Sequence, residues 1–234
     1  LAMAVIIECA DGLHREHAIT AAVAAARRGD VLIVPTETVY ALATDAFSAR
    51  GVAAIRTAKG YSAAHPLPVM VGSSSTVSGI AARVSPQAKR LMSSFRPGPA
   101  TLLLDPQPTL AWDLPAQAPL TVRMPLHPLL IEVLRATGPM VVTAAGIAGL
   151  EPPRTAAQAL AQAGSAASVV LDAGSLGANV AGETDDAMGA PLPSTVIDAR
   201  TVPPVIVREG ELTHGAMEER CPGLVAPRTA PADA

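Results

Sequence analysis

The chain has 234 residues, enough for one large domain or two small ones. Half of them are hydrophobic and only 16% are charged, which excludes a disordered, solvated chain and permits a sizeable core. The net charge of −3 argues against tight, non-specific duplex binding, without excluding a local basic groove.

Residues 1–10 are apolar but short and lack the basic flank of a signal peptide. Residues 17–28 are Ala-rich and end on Arg27, Arg28 and Gly29, the pattern of a helix with its stop signal. Residues 31–34 form a continuous apolar strand of the kind buried on both faces, and Pro35 ends it. Ser48 caps a second helix running to about Lys59. Residues 66–71 read as a strand. Ser85-Pro86 opens a helix with a cap and a first-turn proline, and residues 96–99 close it. Residues 101–104 and 120–124 read as strands, 128–136 as a helix stopped by Gly138-Pro139, and 140–143 as a strand. An Ala-rich helix follows at 155–162, then strands at 169–172, 195–198 and 205–207.

The alternation predicts an α/β (α+β) fold with a single mixed sheet flanked by helices. Residues 1–16 read as an N-terminal extension, 17–212 as the domain and 213–234 as a tail, partly disordered. Residues 174–193 read as a mobile loop. Phe47, Phe95, Tyr40, Tyr61 and Trp112 are all the aromatics, so the core must be built from Ala, Val, Leu and Ile. No apolar run reaches the ~18 residues of a membrane span. Cys9 and Cys221 make neither a metal quartet nor a disulfide framework, which fits a reduced, cytoplasmic setting.

The richest chemistry lies in Pro35-Thr36-Glu37-Thr38-Val39-Tyr40, which leaves a buried strand carrying two hydroxyls, a carboxylate and a phenol. Ligands gather at strand ends in open α/β sheets. A polar turn satisfying its own backbone explains the same residues equally well.

That segment, continued through Ala41-Leu42, resembles the opening motif of the YrdC-like threonylcarbamoyl-AMP synthase family. Further segments follow in the family's order: Ala58-Lys59-Gly60 through His65-Pro66-Leu67-Pro68-Val69; Arg96-Pro97-Gly98-Pro99-Ala100-Thr101-Leu102; Val122-Arg123-Met124-Pro125-Leu126-His127-Pro128; Pro193-Ser194-Thr195-Val196-Ile197-Asp198; and Val207-Arg208-Glu209-Gly210. The resemblance implies a twisted, largely parallel sheet with a concave, basic face. It implies formation of threonylcarbamoyl-AMP from L-threonine, bicarbonate and ATP, with Mg²⁺ assisting and pyrophosphate leaving. A partner protein then passes the threonylcarbamoyl group to a tRNA adenosine. By motif position, Thr36, Tyr40 and Ser194 hold the amino acid. Lys59, Arg123, Thr143 and Arg208 hold the nucleotide, and Lys59 and Tyr61 stand at the catalytic positions. Such a reaction needs no protein nucleophile: cations and positioning lower the barrier to attack on an α-phosphorus already surrounded by negative charge.

The family's Lys-x-Arg and Ser-x-Asn tetrad is altered. The first half reads Lys59-Gly60-Tyr61; the second reads Ala144-Ala145-Gly146, followed by Ala148 where a serine is expected, and Ala41 replaces a usual glycine. Three readings stay open: ordinary activity through replacement groups, a relative forming or transferring a carbamoyl-adenylate on another small molecule, or a non-catalytic nucleotide- or RNA-binding paralogue. His65 and His127 each precede a proline and read as turn and helix-start residues. His14-Arg15-Glu16-His17 reads as a solvated edge, and Asp185-Asp186 as an exposed acidic loop rather than a metal site.

Overall fold

The computed structural model describes residues 4–9, 12–95, 97–115, 117–177 and 193–227. In chain order the elements are β1 (Val5–Glu8), α1 (Gly12–Arg27), β2 (Val31–Pro35), β3 (Tyr40–Asp45), α2 (Ala49–Lys59), β4 (Val69–Met70), α3 (Ser74–Ile80), α4 (Pro86–Phe95) and β5 (Ala100–Leu104). Then come β6 (Leu120–Arg123), α5 (Pro128–Thr137), β7 (Met140–Ala144), α6 (Ala156–Ala163), β8 (Ala167–Asp172), β9 (Thr195–Asp198), β10 (Val205–Arg208) and α7 (His214–Arg220).

The strands form one sheet in the order β1-β8-β2-β3-β7-β4-β6-β5-β9-β10. β2 is apolar at every position and is buried throughout, as a strand covered on both faces must be. One face packs on Ala18, Ala22 and Ala25 of α1 and Leu130, Val133 and Leu134 of α5, through Leu32, Val34, Ala41, Ala43 and Val142. Alanines let α1 approach the strands closely. The other face carries the larger cluster, which joins Ile33, Leu42, Val141, Leu102, Val122 and Ile197 to Val52 and Ile55 of α2 and Leu91 of α4.

The helix ends follow the side chains. The Ser48 hydroxyl accepts the Gly51 N–H at 3.1 Å, which starts α2; Gly60 ends it in the left-handed region at φ 65°. Thr155 and Gln158 form a reciprocal capping box at α6.

Three features differ from the sequence reading. The sheet is mixed as expected but not largely parallel: of the nine described pairings, β2–β3, β3–β7, β4–β7, β5–β6 and β9–β10 are antiparallel. The cause is local. Residues 36–39 are too few for a crossover helix, so β2 and β3 make a hairpin. The expected extension 1–16 instead supplies β1, paired in parallel with β8, and the start of α1. The expected tail contains α7, capped by Thr213, and Val225 bridges Val205 on β10. Most of the 174–193 loop, Asp185-Asp186 within it, and residues 228–234 lie outside the described residues.

Gly210 is required by packing. A methyl there would run into the carbonyl oxygen of Pro193, the residue before Ser194. Gly79, in α3, has nothing within 4 Å of its missing methyl. Gly210→Ala is therefore expected to destabilise the fold by ~1–3 kcal/mol. Gly79→Ala is expected to stabilise it by ~0.5–1 kcal/mol. Denaturant titration of both variants checks the pair; equal effects would contradict the close approach at Gly210.

Candidate active site

The β2–β3 turn largely satisfies itself. Thr36, buried, donates its hydroxyl proton to Val39 O at 2.6 Å, and its oxygen accepts the Val39 N–H at 3.2 Å. The backbone N–H of Thr36 also reaches Val39 O. Tyr40 is wholly buried. Its hydroxyl donates to Gly174 O at 2.7 Å, lies 3.2 Å from Asp172 Oδ1 and accepts the Ala173 N–H at 3.0 Å. Burial raises the phenol's pKa well above its ordinary value. Ser194 Oγ is 2.9 Å from Thr101 Oγ1. The hydroxyls of the three residues expected to hold the amino acid are each hydrogen-bonded within the fold. Thr36 supports the turn, Tyr40 locks the core, and Ser194 faces β5.

The tetrad positions do converge. A cavity of about 230 Å³ is lined by Lys59, Tyr61, Ala144, Gly146, residues 147–150 and Pro152. Lys59, the last residue of α2, donates to the Gly146 carbonyl. Burial pushes its ammonium below the ordinary lysine value. Its Nζ lies 5.8 Å from the centroid of the Tyr61 ring, which stacks on His65 at 3.9 Å. Thr143 is half-buried on β7, opposite Leu42.

The other expected cations lie elsewhere. Arg123 pairs with the carboxylate of Glu37, whose second oxygen accepts the Leu126 N–H at 3.3 Å. Arg123 Nε and His127 Nδ1 are shielded from solvent and have no hydrogen-bond partner among the described residues. Burial also pushes the His127 imidazole below its usual value, against the opposing influence of Glu37. Arg208, exposed, donates to Ser194 O at 2.9 Å. Sheet register aligns Arg123 with Thr101, Thr101 with Val196, and Val196 with Arg208, so β6, β5, β9 and β10 present both arginines in one row. Arg123 and Arg208 thus share that row around Thr101 and Ser194, while Lys59 lines the cavity. The sequence reading missed Glu37 as Arg123's partner and Thr101 as Ser194's. The Glu37 carboxylate inside the opening motif was the available signal for the first; the second needed the β5–β9 register.

The Sua5/YciO/YrdC family model, described as telomere recombination, matches residues 24–210. The chain belongs to this family. A Mycobacterium tuberculosis protein, named as a candidate threonylcarbamoyl-AMP synthase, is 37% identical over 213 residues, covering 91% of this chain and 93% of its own. The threonylcarbamoyl-AMP synthase of Bacillus subtilis is 30% identical over 203 residues, covering 86% of this chain but 55% of its own. Pyrococcus abyssi Sua5, solved with L-threonine, superposes with a TM-score of 0.77 at 26% identity, over 95% of this chain and 62% of that one. Escherichia coli YciO shares the fold at a TM-score of 0.69 and 24% identity. The six motifs read from the sequence thus mark a true Sua5/YciO/YrdC member.

Lys59 yields a pH test. Its folded-state pKa is depressed, so between that pKa and the ordinary lysine value the unfolded chain binds more protons than the folded one. The wild type therefore gains stability as pH rises through that window, because the buried ammonium becomes neutral. Lys59→Met removes this dependence. The difference in melting temperature, variant minus wild type, is expected to be most positive near pH 7 and to fall toward pH 10. A difference independent of pH would show that burial does not act on the ammonium.

Proposed function

We propose that the chain forms threonylcarbamoyl-AMP from L-threonine, bicarbonate and ATP, releasing pyrophosphate, for transfer by a partner to a tRNA adenosine. The observation that carries this reading is the convergence of Lys59, Tyr61, Ala144 and Gly146 on one cavity. Two pairs of tetrad positions, 83 residues apart in the chain at their nearest, share its wall in a member of this family. The mycobacterial relative and the L-threonine complex of Pyrococcus abyssi Sua5 support the same substrate class.

In this reading Lys59 receives nucleotide phosphate, and its ammonium has two N–H donors left after the bond to Gly146 O. Mg²⁺ arrives on the phosphates as part of the substrate and shares the charge they bring. Arg208 and, through its shielded Nε rather than the prong paired with Glu37, Arg123 stand in one register row for a second anionic portion of the substrates. Bicarbonate carboxylates the threonine amine with loss of water; an oxygen of the resulting carbamate attacks the α-phosphorus, the bond from that phosphorus to the β-phosphate bridging oxygen breaks and pyrophosphate leaves, with no covalent intermediate on the protein. Among the described residues no helix is long and apolar enough to cross a membrane.

The altered positions set the rate. Tyr61 offers one phenolic donor where the family has an arginine, and Ala144 and Gly146 offer none from their side chains. Each lost preorganised donor costs ~10²–10³ in rate, and the losses need not add. Threonine-dependent pyrophosphate release is therefore expected, but slower than in a relative with the full tetrad. The variant Tyr61→Arg/Ala144→Ser/Gly146→Asn is expected to raise it. The Gly146 position admits a side chain if Pro153, 3.2 Å from the added Cβ, yields slightly. Release with another amino acid but not threonine would favour the carbamoyl-transfer alternative. No release and no ATP binding by calorimetry would refute the proposal.

A further inference from the structure

Arg56 is the most deeply buried cation described, at 7% exposure, and neither the family motifs nor the substrate scheme uses it. It sits on α2, one turn before Lys59. Nη1 donates to Asp113 Oδ2 at 2.8 Å and Nη2 to Asp113 O at 2.8 Å, so one residue takes two prongs of the fork. Nε, the remaining prong, donates to His65 O at 3.3 Å. Asp113 is itself anchored: the adjacent Trp112 donates its indole N–H to Gln107 O at 3.1 Å and packs on Phe47, with ring centroids 4.8 Å apart.

The loop from Tyr61 to His65 is held by Arg56 at both ends. Gly60, left-handed, turns the chain so that the Tyr61 N–H reaches Arg56 O at 2.9 Å. At the far end, His65 O receives the guanidinium. Between these ties the Tyr61 and His65 rings stack at 3.9 Å, and Tyr61 forms part of the Lys59 cavity wall. A lysine cannot reproduce this: its ammonium is a single point, whereas three directed bonds in one plane need a guanidinium.

We propose that Arg56 is a positioning residue of the candidate active site, holding the Tyr61–His65 stack against the cavity that contains Lys59. It touches no substrate. It acts by fixing His65, which fixes the Tyr61 ring. The proposal rests on the nucleotide reading of that cavity for its functional consequence, but its structural content is independent of that reading.

The test uses Arg56→Lys, which keeps charge and bulk, Arg56→Met, which keeps only bulk, and Asp113→Asn, which loosens the guanidinium from outside the cavity. The first readout is the proton spectrum of the His65 ring, assigned with His65→Gln. In the wild type the Tyr61 ring current displaces these signals upfield. All three variants are expected to lose part or all of that displacement while the Trp112 indole signal stays in place. Unchanged His65 signals in a folded Arg56→Lys or Asp113→Asn protein overturn the proposal; Arg56→Met adds to this only if it folds. The second readout is ATP affinity. Where the wild type binds ATP, Arg56→Lys is expected to weaken it by roughly tenfold to a hundredfold, the scale of a site displaced by about 1 Å. Adding Arg56→Lys to Tyr61→Ala should then cost little more, since the ring it positions is gone. Equal ATP affinity in wild type and Arg56→Lys also overturns the proposal. If the wild type binds no ATP, the nucleotide reading fails, and the His65 signals alone decide the role of Arg56.

Discussion

The arrangement around the site depends on Tyr40. Its backbone N–H donates to Pro153 O at 2.8 Å and its carbonyl accepts the Ala145 N–H at 2.9 Å. One residue therefore holds both ends of the segment that walls the Lys59 cavity. Its hydroxyl, wholly buried, is surrounded by Asp172, Ala173 and Gly174 at the end of β8. A buried phenol without partners costs about 1–3 kcal/mol, so this three-sided satisfaction fixes the ring rather than merely accommodating it. The β2–β3 turn, with Glu37 at its tip, is carried on the same anchor.

That anchor works because the layers beneath it are thin and dense. With so few aromatics, the central strands interlock through branched aliphatic side chains, and α1 lies close over them on alanines. Close packing leaves little room for relaxation, so a shift at Tyr40 is transmitted rather than absorbed. The fold thus spends its two larger polar aromatics unequally: Tyr40 is locked inside, and Tyr61 faces the cavity beside Lys59.

The legible parts of the fold were those where local chemistry and tertiary context agree. The unbroken apolar run of β2 can only be a doubly covered strand, and Ser48 marks the start of α2 through a bond to its own neighbour. β3 was illegible because the Tyr-Ala-Leu-Ala-Thr-Asp stretch has no strong strand propensity. It is extended because β2 and β7 flank it. β1 and α7 lie outside the family motifs, so motif order gave them no role in the domain. In the site, spacing along the chain located the motifs but did not distinguish a hydroxyl free to bind substrate from one already bonded to the fold. Thr36 and Tyr40 carry such hydroxyls, and both are hydrogen-bonded within the fold. Glu37, whose carboxylate reaches Arg123, makes the more consequential contact of that motif.

The charges that remain set the terms on which an anionic substrate enters. Lys59 is held by a carbonyl, which competes weakly with phosphate, and its partial burial makes any added negative charge more favourable there than in water. Arg123 is different. It already has a carboxylate on its fork, at a site where both partners are about four-fifths buried, so an incoming anion gains little unless Glu37 yields or the unpartnered Nε is used. The two cations therefore have unequal tasks. Lys59 can receive charge directly, whereas Arg123 and Glu37 together form a neutral, geometrically fixed pair that orients the chain at Leu126 and the start of α5. With Lys59 held only by a carbonyl and Arg123 already paired, what this cavity can offer an anion rests on the exact placement of its walls, which is why the residues that hold Tyr61 and the 145–153 segment in place matter as much as Lys59 itself.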